Sequence, residues 1–288
     1  MYTIRDLRKY QYDYHKENFP FAFNFIKNPY SFLKARFYME SSAVFVWFLL
    51  KTNIKPNTVT IIYGIAGIIT GILLSIPNYY TVIIALFIAF TKGILDWSDG
   101  HLARITGQTS LTGYILDGYG AILNSYGFQI GLGLYVANRT DSLIFYYLVI
   151  LLVFVKAAGL IQYSRNILLK EISTTKVMSN FIANYSPHKK GAITIRISRL
   201  RYIYDRYFVG FLDDRSRSVD FICLIILLEL HFSINISHII FILLLAKYII
   251  IFVGSFYLVS KGGWIEHQMN KKLGELYSQF VSDSTIKK

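Results

Sequence analysis

Residues 79–117 read YYTVIIALFIAFTKGILDWSDGHLARITGQTSLTGYILD. The first part is an apolar run able to cross a hydrocarbon core of about 30 Å at about 1.5 Å per helical residue. The same run then carries Asp96, Asp99 and Arg104 and, after a short polar turn, Asp117. Charge inside a span is costly, so three carboxylates and an arginine there need a reason. One stretch therefore points both to a helical membrane protein and to the place where its chemistry is done.

The flanking sequence has the same character. Apolar stretches at 57–77, 79–103, 110–136, 142–164, 219–234 and 237–260 predict six transmembrane helices, the fifth of them short. A hydrophobic content of 54% and a mean hydropathy of +0.42 agree with an all-α integral membrane fold. Residues 43–50, AVFVWFLL, are too short to span. With the preceding YSFLKARFYMESS they predict an N-terminal interfacial amphipathic helix.

The formal charge is +13 although only 16% of the residues are charged, so the basic residues are concentrated. Residues 1–55 hold nine lysines and arginines, the segment 165–217 eleven, and the tail from Lys261 five. The connections on the other side contribute only Arg139. The positive-inside rule then puts both termini and the long loop in the cytoplasm, and six spans return the chain to its starting side. This gives a cytoplasmic N-terminal segment 1–55, a membrane domain 56–260 with a basic loop 165–217, and a cytoplasmic tail 261–288. Within the loop, ITIRISRLRYIYDRYFVGFL mixes Arg196, Arg199, Arg201 and Arg206 with aromatics, the pattern of a basic interfacial helix. Its partner is the membrane lipid surface; no nucleic-acid partner is expected. The lone Cys223 forms no intrachain disulfide, and the first 40 residues contain no secretory signal pattern.

Asp96, Asp99, Gly100, Ala103 and Arg104 fall at i, i+3, i+4, i+7 and i+8, one stripe of a helix. Two carboxylates about 5–6 Å apart repel each other unless a cation lies between them. Mg²⁺ and Mn²⁺ favour such oxygen ligands. Gly100 and Ala103 leave the face bare, and Arg104 offers a forked donor suited to phosphate. On the next span Gly113 and Asp117 share a face that continues through Ala121, Asn124 and Ser125. The short turn between the two spans predicts antiparallel neighbours, which would bring Asp117 to the metal. His101 lies off the stripe. Gly64, Gly67 and Gly71 are packing positions. Lys92, one turn before Asp96, is the one local partner for a purely structural reading.

These residues resemble the signature of the CDP-alcohol phosphotransferase family, D-x-x-D-G-x-x-A-R-x8-G-x-x-x-D-x-x-x-D, with Asp96, Asp99, Gly100, Ala103, Arg104, Gly113 and Asp117 at full spacing. The segment Lys55-Pro56-Asn57-Thr58-Val59-Thr60 is similar to the Pro-Asn-x-x-Thr element that opens the family's first span. The resemblance implies six spans and a cytoplasmic site. It implies a CDP-linked alcohol donor, an acceptor hydroxyl on a lipid or on a polar alcohol or alcohol phosphate, and release of CMP. It assigns two ions, Mg²⁺ or Mn²⁺, to Asp96, Asp99 and Asp117. Asn57, Gly100, Ala103, Arg104 and Gly113 would bind substrate, with room for the cytidine at Gly100 and Ala103.

The departure is Ala121, where the family has the aspartate taken as general base. Asp117 is the candidate to accept the proton in its place, and Glu171 or Asp205 from the long loop are others. A relative that binds CDP and metal without turnover is the alternative function. A transporter is disfavoured because the aspartates gather near one membrane face and not at the midplane. Small-residue stripes permit a homodimer. Lys156, Lys247 and Glu229 lie within spans without an assigned role.

Overall fold

The computed structural model describes residues 2–159, 216–232 and 234–260. The described elements are helical: α1 Ile4–Asn18, a 3₁₀ turn Pro20–Phe23, α2 Pro29–Leu49, α3 Pro56–Ser75, α4 Tyr79–Thr91, α5 Gly93–Thr106, α6 Leu111–Thr140, α7 Leu143–Ala157, α8 Ser216–Phe232 and α9 Ser237–Ser260. Among the described residues three stretches are long and apolar enough to cross a membrane: Pro56–Ser75, Tyr79–Thr106 and Ser237–Tyr257. The shorter α7 is also apolar. Ile61, Ile62, Ile65, Ile68, Ile69 and Ile72 are all exposed on α3. Such an isoleucine-covered surface fits hydrocarbon and not water, and the protein is an all-α membrane protein. The basic loop, Glu171, Asp205, the arginines 196–206 and the tail from Lys261 lie outside the described residues.

Met1–Ile150 with Leu212–Ile242 form one compact unit, and Leu151–Phe211 with Leu243–Lys288 a second. Every residue of the candidate site lies in the first.

Local chemistry sets the helix ends. Pro56 at the first position of α3 loses no needed hydrogen bond. Asn78 caps α4 by accepting from Tyr80 and Thr81 N–H, and Ser110 caps α6 by accepting from Gly113 N–H at 3.0 Å. Gly107 closes α5 at φ +67°, the left-handed conformation that glycine tolerates. Lys92 keeps helical dihedrals between α4 and α5, so the two nearly continue one another.

Within the first unit α3 is the hub. It packs along most of α6 and also against α4 and α5. A Cβ on Gly64 would meet Leu123 at 3.1 Å, and Cβ atoms on Gly67 and Gly71 would collide with Asn124 and Gly127. The numbering rises together on both helices, so α3 and α6 run parallel in backbone contact, as small-residue stripes allow. The third span therefore packs mainly on the first, which revises the expectation that the second and third spans are direct neighbours. α5 and α6 are joined by a short turn, yet their direct contact is slight; both pack on α3.

The helix expected around residues 30–50 is α2. Its buried stripe includes Ala35, Tyr38, Met39, Ser42, Ala43 and Val46, and it packs on α5 and α1. The preceding α1 is an addition to the sequence reading. Thr3 and Asp6 form a capping box at its start, and Leu7, Gln11 and His15 bury one narrow face. Leu7 joins Ala43, Val46, Leu49, Val59 and Leu102 in a core that seats α1 and α2 against the ends of α3 and α5.

The structure accounts for the charged residues left without a role. Glu229 is fully buried on α8, where it accepts from the Ile236 and Ser237 N–H groups at the start of α9 and from the Tyr135 hydroxyl at 3.2 Å. A carboxylate at a helix N-terminus is favourable there. In the second unit Lys156 and Lys247 flank the Tyr248 ring at 4.9 and 5.5 Å.

Candidate functional site

α5 presents its signature stripe toward the N-terminal end of α3. The Thr60 hydroxyl donates to Asp99 Oδ2 at 2.6 Å, and Gly100 N–H donates to Asp99 Oδ1 at 2.5 Å. Asp99 is only 6% exposed, and these two donors hold its carboxylate in one orientation. Asp96 sits one turn deeper, where the Tyr63 hydroxyl hydrogen-bonds to it. Lys92 also lies within electrostatic range of Asp96. Asp117, exposed on α6, completes the set; it acts electrostatically on both Asp96 and Asp99.

A cleft opens between these elements. Asn57, Thr60, Asp99, Gly100, Ala103, Arg104, Gly113 and Asp117 are among its lining residues. Seven of the expected site residues thus share one cleft; Asp96 and Ala121 do not line it. Gly113 leaves room for Asn57, whose Oδ1 would stand 3.1 Å from an added Cβ. A Cβ on Gly100 would meet the Arg104 guanidinium at 3.1 Å. These small residues keep the floor of the cleft open beside the arginine.

Ala121 is exposed one turn beyond Asp117 and offers no polar atom. Asn124, one turn further on, is not among the residues that line the cleft. Its amide donates to the Tyr63 and Gly120 carbonyls at 2.8 and 3.0 Å, and the residue is buried between α6 and α3 opposite Gly67. Buried Asn124 is therefore a helix-packing residue. His101 is likewise buried, stacked on Tyr10 with ring centroids 5.8 Å apart, off the cleft as its register predicted.

The fit of a divalent cation rests on the donor set. Among the described residues no three His, Cys, Asp or Glu are gathered closely enough to enclose an ion. Asp96, Asp99 and Asp117 nevertheless supply hard oxygens within electrostatic range of one another, and such a cluster becomes favourable when cations offset its repulsion. The residues fit Mg²⁺ or Mn²⁺ in kind.

Several contributors escaped the sequence reading. Thr60 stands in the quoted opening element, but its bond to Asp99 crosses between spans. Thr60, Tyr63, Gly64, Gly67 and Gly71 form one stripe on a helix otherwise covered in isoleucine; two hydroxyls on that stripe are the signal that marks them. Gln11 and Tyr14 of α1 reach Arg104, and nothing in the sequence ties them to it.

The family model for CDP-alcohol phosphatidyltransferase matches residues 53–199. No curated protein gives a significant match. The matched segment takes in α3 to α6, which carry every lining residue named above, and extends over just over half of the sequence. The chain therefore belongs to the CDP-alcohol phosphatidyltransferase family, transferases that carry out phosphotransfer in lipid synthesis.

Proposed function

We propose that this protein moves a phospho-alcohol or phosphatidyl group from a CDP-linked donor to an acceptor hydroxyl with release of CMP. The observation that carries the reading is the convergence of Asp99, Asp117 and Arg104 on a cleft floored by Gly100, Ala103 and Gly113. The acceptor oxygen forms a new bond to the β-phosphorus, the bond from that phosphorus to CMP breaks, and the acceptor loses its proton. Asp96, Asp99 and Asp117 would hold Mg²⁺ or Mn²⁺, and such ions when bound neutralise a pyrophosphate and stabilise a leaving phosphate. Thr60 and the Gly100 N–H fix the Asp99 carboxylate. Arg104 supplies a fixed positive charge for phosphate. Asn57 and the glycines leave space for the nucleotide.

With alanine at 121, Asp117, the exposed carboxylate of the cluster, is the candidate to take the acceptor proton in addition to its part in holding the metal. We place both termini, the N-terminal segment 1–55, the loop 165–217 and the tail 261–288 on the cytoplasmic side; the concentration of basic residues there supports this. The basic loop favours an anionic acceptor such as an alcohol phosphate.

A second reading has a specific observation behind it. Ala121 supplies no base, which favours a relative that binds CDP and metal without turnover. Purified protein incubated with Mg²⁺ and a panel of CDP-alcohols separates the two by CMP release. Catalysis predicts release with at least one donor, and a rise in turnover for Ala121→Asp of up to about 10²–10⁴-fold, the worth of a general base. CDP binding with no release from any donor, in the parent or in Ala121→Asp, would reject the catalytic reading.

A further inference from the structure

Arg104 is held by α1, a helix outside the matched family segment. Its guanidinium carbon lies 3.9 Å from the centroid of the Tyr14 ring. Its Nη2 donates to Gln11 Oε1 at 3.4 Å. Gln11 is fully buried, and its own orientation is fixed. Its Nε2 donates to Ser42 Oγ on α2 at 3.2 Å and to the Trp97 carbonyl on α5 at 3.5 Å. With the amide nitrogen committed to two acceptors, the amide oxygen must face the arginine.

Both holding groups are neutral. An aromatic face and an amide oxygen orient a guanidinium without cancelling its charge, whereas a carboxylate would pair with it and remove it from use. Among the described residues no group accepts a hydrogen bond from the buried Arg104 Nε. The α1 helix is itself well anchored. His15 stacks on Trp97 at 4.2 Å between centroids, and Tyr10 stacks on His101.

We propose that Gln11 and Tyr14 are positioning residues for the reaction: α1 forms a neutral clamp that aims the Arg104 guanidinium at the phosphates of the CDP-linked donor. The proposal rests on the reading of Arg104 as the phosphate-binding residue. It makes the N-terminal helix α1 a working part of the site.

The test is calorimetric binding of CDP in the presence of Mg²⁺ to the full-length protein. Gln11→Glu pairs with Arg104 and consumes its charge; Tyr14→Ala removes the ring. Each is expected to weaken CDP binding by about tenfold. Tyr14→Phe keeps the aromatic face and is expected to bind CDP as the parent does, which a general packing role for the hydroxyl would not predict. Tyr14 is partly exposed, so its two variants carry the test should Gln11→Glu fail to fold. If Arg104→Ala loses CDP affinity while Tyr14→Ala keeps it within twofold, the clamp is wrong. Equal losses for Tyr14→Phe and Tyr14→Ala would also overturn it. If Arg104→Ala itself binds CDP normally, the phosphate reading of Arg104 fails, and the clamp with it.

Discussion

Thr60 shows how much one hydroxyl can decide. It joins α3 to the Asp99 carboxylate across 39 positions of sequence, at 2.6 Å and out of water. A hydrogen bond to a charged group of this kind contributes about 1.5–3 kcal/mol. Thr60→Val keeps the shape and removes the donor. We expect it to lower the rate of CMP release by about tenfold or more, measured as turnover under saturating donor; an unchanged rate would mean that Asp99 needs no such support. The acidic residues themselves were legible from spacing, because i and i+3 on a helix share a face whatever surrounds it. The Thr60 partner was not, because spacing says nothing of contacts between spans. Ala121, one turn beyond Asp117, is exposed and presents a methyl group with no polar atom.

At the scale of helices, the order of packing differs from the order along the chain. A short turn between α5 and α6 argued for direct neighbours, but glycine stripes on α3 and α6 permit a closer approach, and that pair dominates. The apolar stretches marked helices because burial in lipid favours long unbroken apolar runs, and among the described residues three of those helices are long and apolar enough to cross a membrane. α1 left no such trace: its buried positions recur at i, i+4 and i+8, but two of them, Gln11 and His15, are polar, so no apolar run marks the face. Its docking carries a pH prediction. Burial holds the His15 imidazole below its ordinary value, and the nearby Arg104 charge adds to this, while the Gln11 carbonyl acts in the opposite sense. Protonation is therefore harder with α1 docked than undocked, so the undocked state binds more protons. The stabilisation is full above about pH 6.5, the ordinary histidine value, and is lost as pH falls below it. Limited proteolysis of the first 18 residues should accelerate as pH drops from neutrality toward 5, and His15→Phe should flatten that dependence. A cleavage rate independent of pH in the parent protein would contradict the assignment.

For the molecule as a whole, one physical demand connects fold and site. The apolar outer faces commit the helices to a membrane, where carboxylates need partners or a cavity, and the cleft beside Asp99 and Asp117 provides one; on the proposed function a cation and an anionic nucleotide offset their charge there. Family membership follows from the matched segment, and the reaction class from the family. The central claim for this chain is that Asp96, Asp99 and Asp117 still form a metal-dependent nucleotide site although Ala121 has replaced the fourth carboxylate. Calorimetric titration of CDP, with Mg²⁺ and then with a chelator, tests it most directly. The account predicts that the parent protein binds CDP only while Mg²⁺ is present, and that Asp96→Asn and Asp99→Asn each abolish this binding. CDP binding that survives the chelator and both substitutions would contradict it.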